Sequence, residues 1–127
     1  MNLTLQAAAV GIGAALGAWL RWGLGLALNA RVPLFPLGTF LANAIGGLLV
    51  GVAVAYFSAN ESMSPTLRLF VITGFLGGLT TFSTYSAEVV ELVGNGQVGW
   101  AFALALSHLA ASFALTGVGM WAYRALA

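Results

Sequence analysis

The chain contains no cysteine, lysine or aspartate, and only three prolines and one histidine in 127 residues. Without cysteine there is no disulfide, no thiolate metal site and no cysteine nucleophile, and the redox compartment cannot be read. Charge is almost as scarce. The charged residues are Arg21, Arg31, Arg68, Arg124, Glu61, Glu88 and Glu91, which make up 6% of the chain and give a net charge of +1. A soluble domain carries roughly 25% charged residues. So little charge cannot solvate a globule of this size, which places the chain in a membrane. The weak positive balance also removes any electrostatic case for nucleic acid.

What remains is apolar, 61% of the chain, and it falls into four segments. They cover roughly residues 3–28, 37–57, 66–93 and 98–125, and together form a single transmembrane domain spanning 1–127. Each segment is near or above the ~20 residues that cross the hydrocarbon core. The first begins without the basic stretch of a secretory signal and is too long for one, so it reads as a retained helix. Asn29-Ala30-Arg31-Val32-Pro33 and Pro36 break the first segment from the second. Ser58 to Ser62 form a polar loop. Beyond it, Ser64 is placed to cap a helix that has Pro65 in its first position. Gly94-Asn95-Gly96-Gln97 reads as a tight turn. Alternating strands of about ten residues are absent, which argues against a barrel. The expected fold is an all-α membrane protein with four transmembrane helices per subunit.

The third segment is the anomaly. Thr80-Thr81-Phe82-Ser83-Thr84-Tyr85-Ser86 puts five aliphatic hydroxyls and two aromatic rings at mid-depth, after Gly77 and Gly78. Such polarity is costly in lipid unless it faces protein or a pathway. The glycine pair predicts a break near the middle of this helix, from Gly77 to Thr81, which would free backbone carbonyls. A cation such as Na⁺ is one partner for them.

Polar residues elsewhere fit a conduit. His108, Ser112 and Thr116 repeat every four residues on one face of the fourth helix. Asn43 stands alone among apolar neighbours in the second. Thr84, Glu88 and Glu91 follow helical spacing in the third, and Phe82 and Tyr85 lie one turn apart. Neutral amide and hydroxyl donors suit an anion that must exchange its water shell. Aromatic edges attract an anion without trapping it. For any one of these residues, an ordinary interhelical hydrogen bond is the competing reading. Arg21, between Trp19 and Trp22, reads as an interfacial anchor. No catalytic constellation is present: His108 has no acid near it in sequence, and there is no metal-ligand spacing. An enzyme is not expected.

Four helices enclose little interior, which favours assembly with a second copy. Gly13, Gly17, Arg21 and Gly25 share a face of the first helix, and Gly47 and Gly51 form a small-xxx-small pair on the second. The motif leaves open whether these faces pack within a subunit or between subunits. The arginines divide two against two across the membrane if Arg21 snorkels toward Arg31, so no positive-inside bias fixes the orientation. That balance permits insertion in both orientations and hence an antiparallel, dual-topology homodimer; the competing reading is that counts this small carry no signal.

In these residues the chain resembles the Fluc (CrcB) family of small fluoride channels. The resemblance covers nearly the whole chain. It is carried by Gly-Ala-Trp-Leu-Arg-Trp at 17–22, Gly-Thr-Phe-Leu-Ala-Asn at 38–43, the run Gly-Phe-Leu-Gly-Gly-Leu-Thr-Thr-Phe-Ser-Thr-Tyr-Ser at 74–86 with Glu88 after it, and His108 to Thr116. It implies a dual-topology homodimer in the bacterial cytoplasmic (inner) membrane that exports F⁻ passively and protects the cell from fluoride. It implies a structural Na⁺ at the dimer interface, held by main-chain carbonyls of Gly77 and Thr80. Asn43 and Phe82 match pore residues of the family. Ser83, Thr84, Ser112 and Thr116 look like its polar track. Arg21 matches a vestibule or structural arginine, and Glu88 and His108 fall in the matching segments. Tyr85 stands where the family commonly has a second phenylalanine. Two alternatives compete. A small dual-topology multidrug exporter depends on a glutamate in the first helix, and that helix has no acid. A non-transporting assembly subunit would use the same polar groups only to join helices.

Overall fold

The computed structural model describes residues 2–127. Four helices are long and apolar enough to cross a bilayer: Leu3–Leu28, Leu37–Ala59, Pro65–Gly94 and Val98–Leu126. Local chemistry accounts for their ends. Asn2 Oδ1 accepts from Leu5 N and starts the first helix. Ser64 Oγ accepts from Leu67 N, with Pro65 at the first helical position, and starts the third. Gly96 reverses the chain after the third span with a φ of 76°, a conformation that favours glycine. Gln97 N then bonds back to Leu92 O, which satisfies a helix-end carbonyl.

The second helix is central. Half of its most apolar window is buried, against 17% for each of the other three. It packs on the fourth helix, while the first helix packs on the leading part of the third span. In lipid these contacts gain nothing from excluding water, so they depend on close backbone approach. The glycine faces provide it. A Cβ on Gly13 would meet Phe75 N at 2.9 Å, and one on Gly17 would meet Leu79 N at 2.6 Å. On the second helix, Gly47 and Gly51 sit against the backbone of Ser112 and Thr116. Both small-residue faces are therefore occupied within the subunit, which resolves the choice the motif left open.

The third span is interrupted, as expected, but not at the glycines. Residues Leu69–Leu76 are π-helical, and Gly77–Leu79 continue as helix. The chain leaves the helix at Thr80, whose φ of −86° and ψ of 152° are extended, and resumes it at Ser83. Gly77 and Gly78 thus precede the break. Gly78 serves contact: a Cβ there would strike the Ala14 carbonyl of the first helix.

Candidate functional site

Asn43 makes the break possible. Its Oδ1 accepts from Thr81 N at 2.7 Å, and its Nδ2 donates to Thr81 O at 2.9 Å. A side-chain amide so replaces the helical partners that Thr81 gives up, and the unwound segment is not left with orphaned groups. The same Nδ2 lies 3.0 Å from His108 Nδ1 on the fourth helix. Asn43 thereby joins the second, third and fourth helices at one level.

A groove of about 360 Å³ opens beside this junction, lined by Asn43, Thr80, Phe82, Tyr85, His108 and Ser112 among others. His108 stacks on Tyr85 with ring centroids 4.3 Å apart. Tyr85 is further held by its hydroxyl, which donates to Ala105 O at 2.8 Å. Phe82 meets Tyr85 edge-on at 5.4 Å and is otherwise 72% exposed. One turn beyond Ser112, Thr116 Oγ1 donates to Gly47 O at 2.9 Å. That hydroxyl fastens helix to helix, the role that competed with pore lining in the sequence.

The remaining candidates lie elsewhere. Ser83 is exposed, with its Oγ 3.5 Å from Thr81 Oγ1. Thr84 lines a second recess of about 310 Å³ with Arg21, Thr39 and Asn29. Glu88 Oε2 accepts from Thr39 Oγ1 at 2.9 Å, and Thr39 N donates to Asn29 Oδ1 at 3.0 Å. Of the expected polar track, Ser112 lines the groove, Thr84 lines the second recess, Ser83 is exposed and Thr116 is bonded to Gly47.

Arg21 carries two expectations, an interfacial anchor and, from the resemblance, a vestibule or structural arginine. Its Nε donates to Gly78 O at 3.1 Å, beside the break, instead of reaching toward the interface. The first helix runs along the third span there, which brings the guanidinium to that carbonyl. Three residues in this network carried no assigned role in the sequence: Asn29, Thr39 and Thr81. The four-residue spacing of Thr39 and Asn43 was the available signal, because it marks one polar stripe on an apolar helix.

Among the described residues, no cluster of His, Cys, Asp or Glu is built to hold a metal. Backbone oxygens are a different matter. Thr81 N, the helical partner of the Gly77 carbonyl, is diverted to Asn43. Thr84 N, the helical partner of the Thr80 carbonyl, is diverted to Thr81 Oγ1. Both carbonyls lose their helical donors, which fits a hard monovalent cation in an unwound segment.

Four apolar helices, the third unwound beside a groove that carries a few polar groups on a mostly apolar wall, define a multi-pass membrane protein. The particular family follows from comparison. Residues 8–120 match the model of the family described as "CrcB-like protein, Camphor Resistance (CrcB)", and the chain belongs to that family. It is 59% identical over 113 residues to a protein of Burkholderia vietnamiensis (strain G4 / LMG 22486) named "Fluoride-specific ion channel FluC", covering 89% of this chain and 88% of that one. Relatives with the same name occur in Burkholderia lata, at 58% over 92% of this chain and 91% of the relative, and in Pseudomonas putida (strain W619), at 55% over 88% of each.

Proposed function

We propose that this chain is the subunit of a fluoride-selective ion channel, which lets F⁻ leave the cell passively through the bacterial cytoplasmic membrane and so confers fluoride resistance. The observation that carries the reading is the interrupted third span, with its groove, in a chain 55% to 59% identical to proteins named as fluoride channels. It moves an ion and makes no bond, so it is not an enzyme. No charged side chain lines the groove, so its neutral groups would replace part of the ion's hydration without an arginine or lysine there to trap it.

A second copy completes the pathway in this reading. The groove is open along one side, where Phe82 and Phe113 are 72% and 75% exposed. The copy is taken as antiparallel, in a dual-topology homodimer. With Arg21 tied to Gly78, Arg31 faces one side and Arg68 and Arg124 the other, a difference of one residue that orients the chain weakly. Gly77 and Thr80 carbonyls from the two copies would hold a structural Na⁺ at the interface, supplying local positive charge and tying the subunits together.

Fluoride efflux from proteoliposomes, with chloride as control, tests the reading. Selective fluoride efflux is expected. A rate no faster than that of protein-free vesicles refutes it.

A further inference from the structure

A chain of rings runs from the first loop to the break. Phe35 meets Phe40 with centroids 5.4 Å apart, and Phe40 meets His108 edge-on at 5.4 Å. His108 stacks on Tyr85 at 4.3 Å, and Tyr85 meets Phe82 at 5.4 Å. The two ends of this chain stand in different cavities. Phe82, Tyr85 and His108 line the groove. Phe35 lines a separate recess of about 200 Å³ with Asn29, Glu88, Glu91 and Asn95, at the end of the molecule that carries the first loop and the turn after the third span. Phe40 lines neither cavity but touches a ring of each, so it forms part of the wall between them.

The rings of this wall are held in different ways. Tyr85 is pinned by its hydroxyl on Ala105 O, and His108 by Asn43 Nδ2, which Thr81 orients in turn. Phe40 has no polar atom. It is half-buried and held by ring contacts, which favour an edge-on tilt but bind weakly. Its backbone is firm, since Phe40 N donates to Pro36 O in the first turn of the second helix. It stands three residues before Asn43 and so on the same side of that helix. Two fixed rings thus face one whose position depends on its own bulk. The bulk of Phe40 therefore sets how far the Tyr85–His108 stack can part.

We propose that Phe40 is the partition between the groove and the recess under the first loop, and a specificity-determining residue for the permeating anion. The proposal rests on the channel reading and adds to it the ring that decides which anion crosses from one cavity to the other. An ion leaving the groove toward this end meets the stacked pair with Phe40 behind it. Fluoride and chloride carry the same charge, and no charged side chain lines the groove, so the width of the opening is what separates them. A ring at that point keeps the opening narrow. Its electropositive edge also attracts a small anion without holding it.

The experiment measures efflux of sodium fluoride and, separately, of sodium chloride from vesicles of one lipid composition. They hold the full-length native protein, Phe40→Leu or Phe40→Trp. Leucine keeps apolar bulk but removes the ring, and the ratio of chloride to fluoride efflux is expected to rise about fivefold or more. Tryptophan thickens the partition and is expected to cut fluoride efflux about tenfold without raising that ratio. A purely structural role would slow both ions together and leave the ratio alone. A ringless variant whose ratio stays within about twofold of native therefore overturns the proposal, whatever its absolute rate. So does a tryptophan variant with native fluoride efflux. Phe40→Met, ringless and adaptable in shape, replaces leucine if that variant does not fold. Native vesicles that release no fluoride would sink the channel reading and this proposal with it. Native release with an unchanged ratio in the ringless variant removes Phe40 alone.

Discussion

Asn43 and Thr81 exchange two hydrogen bonds, side-chain amide to main-chain peptide, at 2.7 and 2.9 Å. The pair does for the third span what a neighbouring strand does for an edge: it satisfies backbone that has left its helix. An unwound segment at this depth is tolerated only when something does so.

Replacing Asn43 therefore affects folding and transport together. Asn43→Ala strands the Thr81 N–H and C=O and removes the donor to His108. A loss of about 1–3 kcal/mol is expected from the unsatisfied buried groups, read as a lower unfolding midpoint in detergent. Asn43→Asp keeps the acceptor for Thr81 N but removes both donors and adds a negative charge beside the groove. It is expected to depress fluoride efflux more than alanine does. An Asp variant that conducts as well as the native protein would contradict the clamp.

The glycine faces make a sharper contrast, because two glycines of one helix differ completely in surroundings. A Cβ on Gly17 would run into the backbone of Phe75 and Leu79, whereas one on Gly11 meets nothing within 4 Å. Gly17→Ala must push the first helix off the third span and is expected to cost about 1–3 kcal/mol. Gly11→Ala is expected to be neutral or slightly stabilising, since alanine is the better helix former. Thermal unfolding of the two variants in one detergent decides the matter. Equal midpoints would mean that the close approach carries no energy.

The four helices were legible because each apolar run is long enough to cross a bilayer and ends in polar, proline or glycine punctuation. The interruption of the third was legible from the cost of placing Thr80 to Ser86 in lipid. Its position was legible only in part: Thr80 and Thr81 leave the helix within the expected stretch, but Gly77 and Gly78 do not. Glycine is permitted both to leave a helix and to let another helix approach. At Gly78 the second role prevails, because Ala14 of the first helix lies against it. The π-helical turns over Leu69–Leu76 left no trace in the sequence, since the same apolar residues serve either helical form. Of the site, Asn43, His108 and Tyr85 could be named, but not joined. Their junction depends on the second and fourth helices meeting at one level, and no spacing along the chain records that.

Tyr85 stands where the family resemblance leads one to expect phenylalanine, and the structure gives its hydroxyl a task. The O–H donates to Ala105 O at 2.8 Å while the ring stacks on His108 and meets the edge of Phe82. Tyr85→Phe removes only the hydrogen bond. A cost of about 0.5–1.5 kcal/mol is expected, with fluoride efflux largely retained because both ring contacts persist. Tyr85→Leu removes the ring as well, and both stability and efflux are expected to fall. If phenylalanine abolished efflux, the hydroxyl itself would belong to the pathway, and its bond to Ala105 would have to open for the ion.

Arg21 links the first helix to the break through a single bond, from Nε to the Gly78 carbonyl at 3.1 Å. That carbonyl lies between those of Gly77 and Thr80, whose helical donors are diverted to side chains. Holding it in place orients the peptides on either side. Arg21→Ala is expected to cost about 1–2 kcal/mol, the range of a charge-assisted bond moderated by the partners available within a membrane. Arg21→Lys keeps the charge but replaces a planar, fixed donor with a flexible ammonium, so only partial recovery is expected. The informative readout is the dependence of efflux on the cation in the buffer. If Gly77 and Thr80 hold Na⁺, loosening Gly78 should raise the sodium concentration needed for full efflux. A variant with a lower unfolding midpoint but an unchanged sodium dependence would confine Arg21 to packing and separate it from the cation site.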